Sequence, residues 1–478
     1  MKRSHSAFLQ VVSKIYKRSR QVELRRQKEV TESTAPNVES KRSAEPRLCA
    51  SHPMRPARLA RAMAGLALLA MLGRRALAQT QPPAMRIDLN QAIQLAIQHN
   101  HSLKAAETLV PQDQAQEVTA SLRPNPVFVY DDLFVPISPS QFTHSNLNSI
   151  TEFDVGASYT IERGHKRQAR MRAARGVTTQ QRTLIDDAER GLTYNVAQQF
   201  ISVLLAKSTL AFAQQDLSSF QNTVNISAVQ YKAGSISEGD FLKIKLQLLQ
   251  FQTDVSSAQV ALVQAKAGLR NLLGYDAVPE NYQVIGDLTY SPLHLNLQDL
   301  QAKALRLRPD LIAADQGITA AQSQYQLARA NGNRDVTTSL YYTHVSALNT
   351  ASFILNMEIP IFDRNQGEIA RTHYAITQAQ EQQRAASDLV MTDVRDAYEG
   401  FKTSAQVVEL YESGYLKEAT DSRDISQYAY KRGAASLLDF LDAERSYRAT
   451  ELAYRQALAN YMSSAEQVRE AVGTRSLP

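Results

Sequence analysis

Tyr231-Lys232-Ala233-Gly234-Ser235-Ile236-Ser237-Glu238-Gly239-Asp240-Phe241-Leu242 is written a second time, as Tyr430-Lys431-Arg432-Gly433-Ala434-Ala435-Ser436-Leu437-Leu438-Asp439-Phe440-Leu441. Seven of the twelve positions are identical, the copies stand 199 residues apart, and each opens a long heptad tract. Further upstream, the stretch from Leu89 to Ala106 recurs in looser form from Leu297 to Ala314. A period near 200 residues is too long for a solenoid. It is the spacing of a duplicated half-protein, and it divides the chain into a first repeat over 79–290 and a second over 291–478.

Outward from the two turns the sequence reads as helix. No proline falls between Pro139 and Pro279, or between Pro360 and Pro478, and glycine is sparse in both tracts. Phe241, Ile244, Leu248, Phe251, Val255, Ala258, Leu262, Ala265, Leu269 and Leu272 keep the three-four spacing of a left-handed coiled coil. At the helical rise this seam is roughly 45 Å long. The second copy places Phe440, Ala443, Tyr447, Thr450, Tyr454 and Ala457 on the same spacing. It is smaller and more polar, so the two seams are expected to face different neighbours.

Before each helical tract stands a pair of strand-like segments. The first is 127–135 and 153–161 around a loop at 136–150; the second is 336–345 and 352–361 around a loop at 346–351. Phe353, Leu355, Met357, Ile359 and Ile361 share one face, with Ile354, Asn356 and Glu358 on the other. Ten-residue strands of period two fit either a membrane barrel or a half-buried soluble sheet. Four strands cannot close a barrel, and an open edge in lipid leaves backbone groups unpaired. If these strands cross a membrane, several chains must complete one barrel; three chains would supply twelve strands. The fold class expected is mainly α with a membrane β part.

Residues 1–78 read as a leader. Arg55, Arg58 and Arg61 precede an apolar run from Ala62 to Leu72, and Ala76-Leu77-Ala78 supplies a small-x-small cleavage pattern before Gln79. That is the layout of a secretory signal peptide over 54–78, preceded by a 53-residue extension or a misplaced start codon upstream of Met54. The leader holds 17 Lys and Arg against 5 Asp and Glu, which leaves 36 basic and 42 acidic residues for the remainder. The basic balance of the whole chain therefore belongs to its leader, and a nucleic-acid role loses its electrostatic basis. The single cysteine, Cys49, also lies in the leader, so no disulfide or zinc-thiolate site is expected beyond it.

These features together resemble the TolC-type outer-membrane efflux factors: a duplicated half, a strand pair before each helical hairpin, and the turn Tyr-Lys-x-Gly-x-x-Ser-x-x-Asp-Phe-Leu. The resemblance runs from about residue 87 to about 472. His101 stands where the family's opening helix usually has proline; the second copy has Pro309. The strand-to-helix junctions Glu162-Arg163-Gly164-His165-Lys166-Arg167 and Asp363-Arg364-Asn365-Gln366-Gly367-Glu368-Ile369 look most like the CzcC-like heavy-metal branch. The resemblance implies a homotrimer with a twelve-stranded outer-membrane β-barrel and long coiled-coil hairpins forming a periplasmic α-barrel. It implies a passive exit duct for metal cations or small organic toxicants, partnered by a periplasmic adaptor (membrane fusion) protein and an inner-membrane RND-type pump. A type I protein-secretion channel uses the same architecture, and a periplasmic coiled-coil scaffold would share the helices without lipid-facing strands.

The resemblance also implies roles at the turns. Gly234, Ser235, Ile236, Gly433, Ala434 and Ala435 are the expected adaptor contacts at the closed periplasmic end. Asp240 and Tyr430 match positions that help lock the entrance in such channels, but Ala435 stands where an arginine partner is expected, so a lock here would draw on Lys431 or Arg432. Asp439 and Asp442 lie three apart on one helical face, where three chains could stack two acidic rings favouring cations; a solvated helix start is the competing reading. The seven histidines outside the leader form no ligand cluster, and no phosphate loop, nucleophile elbow or His-Glu-x-x-His occurs. No metal site, cofactor or enzymatic activity is expected.

Overall fold

The computed structural model describes residues 85–149, 151–346 and 348–476. The leader over 1–78, its start at Met54 and its cleavage before Gln79 lie outside the described residues.

The first repeat begins with a short strand, β1 (Arg86–Ile87), and helices α1 (Leu89–His99), α2 (His101–Glu107) and α3 (Leu109–Ser121). Asp88 starts α1 with a capping box shared with Gln91. Where His101 replaces proline, Asn100 does the work of a cap: its Oδ1 accepts from the Ser102 and Leu103 amides at 3.0 Å, while Nδ2 donates to the Leu272 carbonyl at 3.0 Å. After α3 come β2 (Val127–Leu133), a single 3₁₀ turn, α4 (His144–Ser149) and β3 (Glu152–Ile161). Helix α5 (Lys166–Lys232) then runs 67 residues, roughly 100 Å, and α6 (Glu238–Leu273) returns beside it. On composition α5 is apolar enough to cross a bilayer. Its apolarity is a core, however, because Val196, Phe200, Val203 and Leu204 are buried against α1 and α6.

The second repeat follows the same order. Strand β4 (Gln283–Val284) pairs in parallel with β1, and then come α7 (Leu297–Leu307), α8 (Pro309–Asn331), β5 (Val336–Val345) and β6 (Leu348–Met357). Pro309 occupies the first turn of α8, where a missing N–H costs nothing. Beside it the buried Arg308 guanidinium reaches Asp310 at 2.6 Å and Asp393 at 2.8 Å. Helix α9 (Gln366–Leu410) passes through a π-turn at Tyr411–Tyr415 into α10 (Leu416–Lys431), and α11 (Leu437–Val472) closes the chain. Inside the π-turn Gly414 has φ 145° and ψ −25°.

The four long strands form one antiparallel sheet in the order β2-β3-β5-β6, joined across the repeats by β3 and β5. Three boundaries differ from the sequence reading. The hairpin β5–β6 pairs Val345 with Leu348, so the loop expected at 346–351 is a tight turn, with Ser346 at φ 55°. β6 ends at Met357 rather than 361, because Pro360 cannot donate to a ladder; Ile359 and Ile361 therefore lie beyond the strand. Likewise β2 stops at Leu133, since Phe134 turns left-handed at φ 58° just before Pro136. Gly156 is required where it stands: a Cβ there would meet the Tyr341 ring at 2.4 Å. β2 and β6 are open edges, and Phe128, Tyr130, Leu133, Leu348, Phe353, Leu355 and Met357 on them are exposed.

Candidate functional site at the helical tip

Six of the seven repeated residues have a defined place in the turn. Helix α5 ends in a Schellman arrangement: Gly234, at φ 73°, donates to the Tyr231 carbonyl at 2.9 Å and Ser235 donates to the Gln230 carbonyl at 2.9 Å. Helix α10 ends the same way, with Gly433 at φ 72° donating to Tyr430 at 2.9 Å and Ala434 to Ala429 at 2.8 Å. Only glycine takes this conformation without a Cβ penalty. Lys232 and Lys431 sit in the last helical turns, where cations suit the dipole. Ser237 and Ser436 are the N-caps of the returning helices, accepting from the amides of Asp240 and Asp439 at 3.1 and 3.2 Å. Tyr and Phe then close the turn as a stacked pair: Tyr231 on Phe241 at 5.2 Å, Tyr430 on Phe440 at 5.4 Å.

A cleft of about 800 Å³ lies between the two turns. Ser235, Ile236, Asp240, Tyr430, Gly433 and Ala435 all line it, so residues 199 positions apart in the duplicated motif meet at one surface. Gly234 and Ala434 lie at the turns without lining this cleft. A Cβ at Gly234 or Gly433 would meet nothing within 4 Å, so both turns stand clear on that side. Tyr430 is buried, and burial raises its phenol above the ordinary value, with Asp240 adding to the rise. Asp240 accepts from the Ser237 hydroxyl at 2.9 Å and pairs with Lys243 at 3.5 Å. Arg432 lies 4.9 Å over the Tyr428 ring, while the Lys431 carbonyl accepts from Gln230 Nε2 at 3.1 Å.

Asp439 and Asp442 have local partners that the sequence reading did not assign. The Asp439 carboxylate accepts from the Ser436 amide at 3.2 Å and its hydroxyl at 2.7 Å, completing a capping box. Asp442, largely exposed, lies 3.6 Å from Arg445.

A buried group behind the tip was missed altogether. Asp216 of α5 and Glu444 of α11 are 3 % and 5 % exposed, and Arg448 sets Nε 2.6 Å from Asp216 and Nη2 2.5 Å from Asp254 of α6. The signal was available: Asp216 breaks an apolar run of Phe212, Ala213, Phe220 and Val224, where a charge inside a seam needs a partner.

Long paired helical hairpins carrying an open-edged antiparallel sheet, with a doubled turn at their far end, define a class of elongated envelope protein. The chain belongs to the outer membrane efflux protein family, whose pattern it matches over residues 92–275 and 300–474. It is 23% identical over 389 residues to the cobalt-zinc-cadmium resistance protein CzcC of Cupriavidus metallidurans, covering 81% of this chain and 90% of that protein. The cation efflux system protein CusC of Escherichia coli K12 is 29% identical over 301 residues, covering 58% of this chain and 62% of that protein. Among solved structures, CusC superposes with a TM-score of 0.67 at 21% identity, covering 83% of this chain and 96% of that one. The resemblance to the CzcC-like branch read from the junctions agrees with these relatives. The chain is an outer-membrane efflux channel.

Proposed function

We propose that three copies of the chain assemble into the exit duct of a tripartite efflux pump, with metal cations as its cargo. Each copy contributes four strands to a twelve-stranded barrel in the outer membrane and its hairpins to a helical tunnel in the periplasm. The tip turns receive a periplasmic adaptor, and an inner-membrane pump of RND type supplies cargo and energy. The observation that carries this reading is the sheet: both edges, β2 and β6, lack a strand partner among the described residues while carrying exposed apolar side chains. In lipid such edges must be paired, and pairing β6 of one copy with β2 of the next removes every edge. The names of the relatives, cobalt-zinc-cadmium resistance and cation efflux, support the cargo.

The test is twofold. Chemical cross-linking of the purified outer-membrane protein is expected to give a trimer, and deletion of the gene is expected to sensitise the cell to divalent or monovalent heavy metals. A monomer, or sensitivity confined to organic compounds, overturns the assembly or the cargo respectively.

A further inference from the structure

The joint between the two tip hairpins holds charge where a coiled coil ordinarily holds apolar side chains. Asp216 on α5 and Glu444 on α11 are both buried there, and their carboxyls are electrostatic neighbours. Arg448, one turn beyond Glu444, grips Asp216 at 2.6 Å and Asp254 at 2.5 Å, with its guanidinium stacked 4.1 Å over Phe251. Arg423 of α10 faces the same pair and lies 4.2 Å over Tyr447, while also holding the exposed Asp424 at 2.7 Å. Arg445 lines the adjoining groove but is turned to Asp442. All four tip helices therefore converge on one cluster.

Its charge does not balance when every group is ionised. Leaving aside the solvent-exposed Asp424 that also pairs with Arg423, Asp216, Glu444 and Asp254 bring three negative charges against two from Arg448 and Arg423. An excess charge away from water is costly, and one proton removes it. Burial and the neighbouring Asp216 carboxylate push Glu444 up to about 7, and burial raises Asp216 as well.

The second observation is mechanical. Helix α5 runs unbroken to its turn, whereas its counterpart in the second repeat is interrupted at Tyr411–Tyr415, where Gly414 takes a backbone conformation open only to glycine. Beyond that break, α10 is tied to α5 by two neutral hydrogen bonds: Gln427 to Thr223 at 3.2 Å and Gln230 to the Lys431 carbonyl at 3.1 Å. The charged cluster, with the apolar cluster around Phe440, supplies the rest of the joint.

We propose that the Asp216–Glu444 pair, clamped by Arg448, is a proton-dependent fastener. With one proton in the pair, α10 and α11 are held against α5 and α6; when that proton passes to solvent, two carboxylates repel and the hairpin swings on the Gly414 break. The swing widens the entrance of the duct, and in that respect the inference rests on the reading of the chain as an efflux channel. A carboxyl raised in the closed state binds a proton that the open state releases at lower pH. The closed form is therefore fully favoured below the ordinary carboxylate range and loses that advantage as pH rises to about 7. Between pH 6 and pH 8 the closed-to-open ratio is expected to fall about tenfold.

The experiment measures the joint directly. Spin labels at Asn222→Cys on α5 and Ser422→Cys on α10, in full-length assembled protein diluted with unlabelled chains, report the hairpin distance. A long-distance population is expected to grow from pH 6 to pH 8. Glu444→Gln, which keeps a hydrogen-bonding amide but cannot ionise, is expected to stay short at both. If Glu444→Gln fails to assemble, Asp216→Asn serves instead and is expected to move the transition to lower pH in Glu444's own range. A wild-type distance that ignores pH, or a variant that follows wild type, overturns the fastener. Conductance recorded on the same samples separates the two readings: a protein that forms no pore at any pH refutes the duct, while the distances still decide the fastener.

Discussion

The two turns share seven residues and differ in what surrounds them. In the first, Tyr231 and Phe241 stack at the surface, with Lys245 lying 5.6 Å over the Phe241 ring. In the second, Tyr430 and Phe440 are buried, and Phe440 continues into Phe220, which stacks on Phe251 at 4.3 Å. Local chemistry is the same in both: a left-handed glycine, a serine cap and an aromatic pair. What differs is the neighbour, since α11 lays its first turns across α5 and α6 whereas the first turns of α6 keep one side open. Duplication therefore copied a turn, and packing made one copy an anchor and left the other presenting an aromatic pair outward.

The largest expected break in this comparison comes from the aromatic pairs. Phe440→Ala should destabilise the tip by about 3–5 kcal/mol, as for a buried Phe, while Phe241→Ala should cost about 1 kcal/mol or less. Hydrogen exchange of the α10 and α11 amides checks this: equal acceleration in the two variants would mean the burial difference is not energetic. Next come the glycines. Gly234→Val and Gly433→Val should each cost about 1–2 kcal/mol, because the penalty is set by backbone conformation and not by contacts. Both should leave the protein in the membrane at normal levels and abolish efflux by misshaping the proposed docking surface; normal resistance with Gly433→Val would remove that turn from it.

Caps separate the copies more finely. Ser436→Ala should cost about 1 kcal/mol and Ser237→Ala somewhat less, since only the first breaks a reciprocal capping box. Thermal melting of the tip, followed by protease sensitivity, orders the two. Smallest in energy is the effect on selectivity. Changing both Asp439 and Asp442 to Ala should raise conductance and weaken preference for cations, with Asp442 contributing most because its carboxylate is not committed to a cap. The effect should fade at 1 M salt, where charges reach only about 3 Å. An unchanged reversal potential at low salt would place both carboxylates away from the pore.

Much of this was legible because it was written in periodicity and punctuation. The helices followed from proline-free tracts, the strands from alternation, and the turns from Gly, Ser and Asp at fixed offsets. The strand ends at Leu133 and Met357 were less legible: one depends on the left-handed backbone of Phe134 and the other on Pro360, beyond which alternation continued without hydrogen bonds. The difference between the two aromatic pairs could not be read from the tyrosine and phenylalanine themselves, which are the same in both copies. Nor could the roles of Asp439 and Asp442, since a helix-start carboxylate looks the same whether it caps or lines a pore. The Asp216–Glu444–Arg448 group was present as charges within apolar runs, but pairing residues 228 apart required the fold.

The unpaired edges of β2 and β6 carry a consequence for inheritance. In the proposed assembly the sheet is finished by neighbouring chains, which would make each subunit responsible for its partners' hydrogen bonds as well as its own. In a cell making equal amounts of a sound chain and one with a lesion at an edge strand, the proposed threefold assembly would leave about one complex in eight composed wholly of sound chains. A proline placed in the middle of β6 would then act as a dominant allele, suppressing resistance far below the half expected from gene dosage.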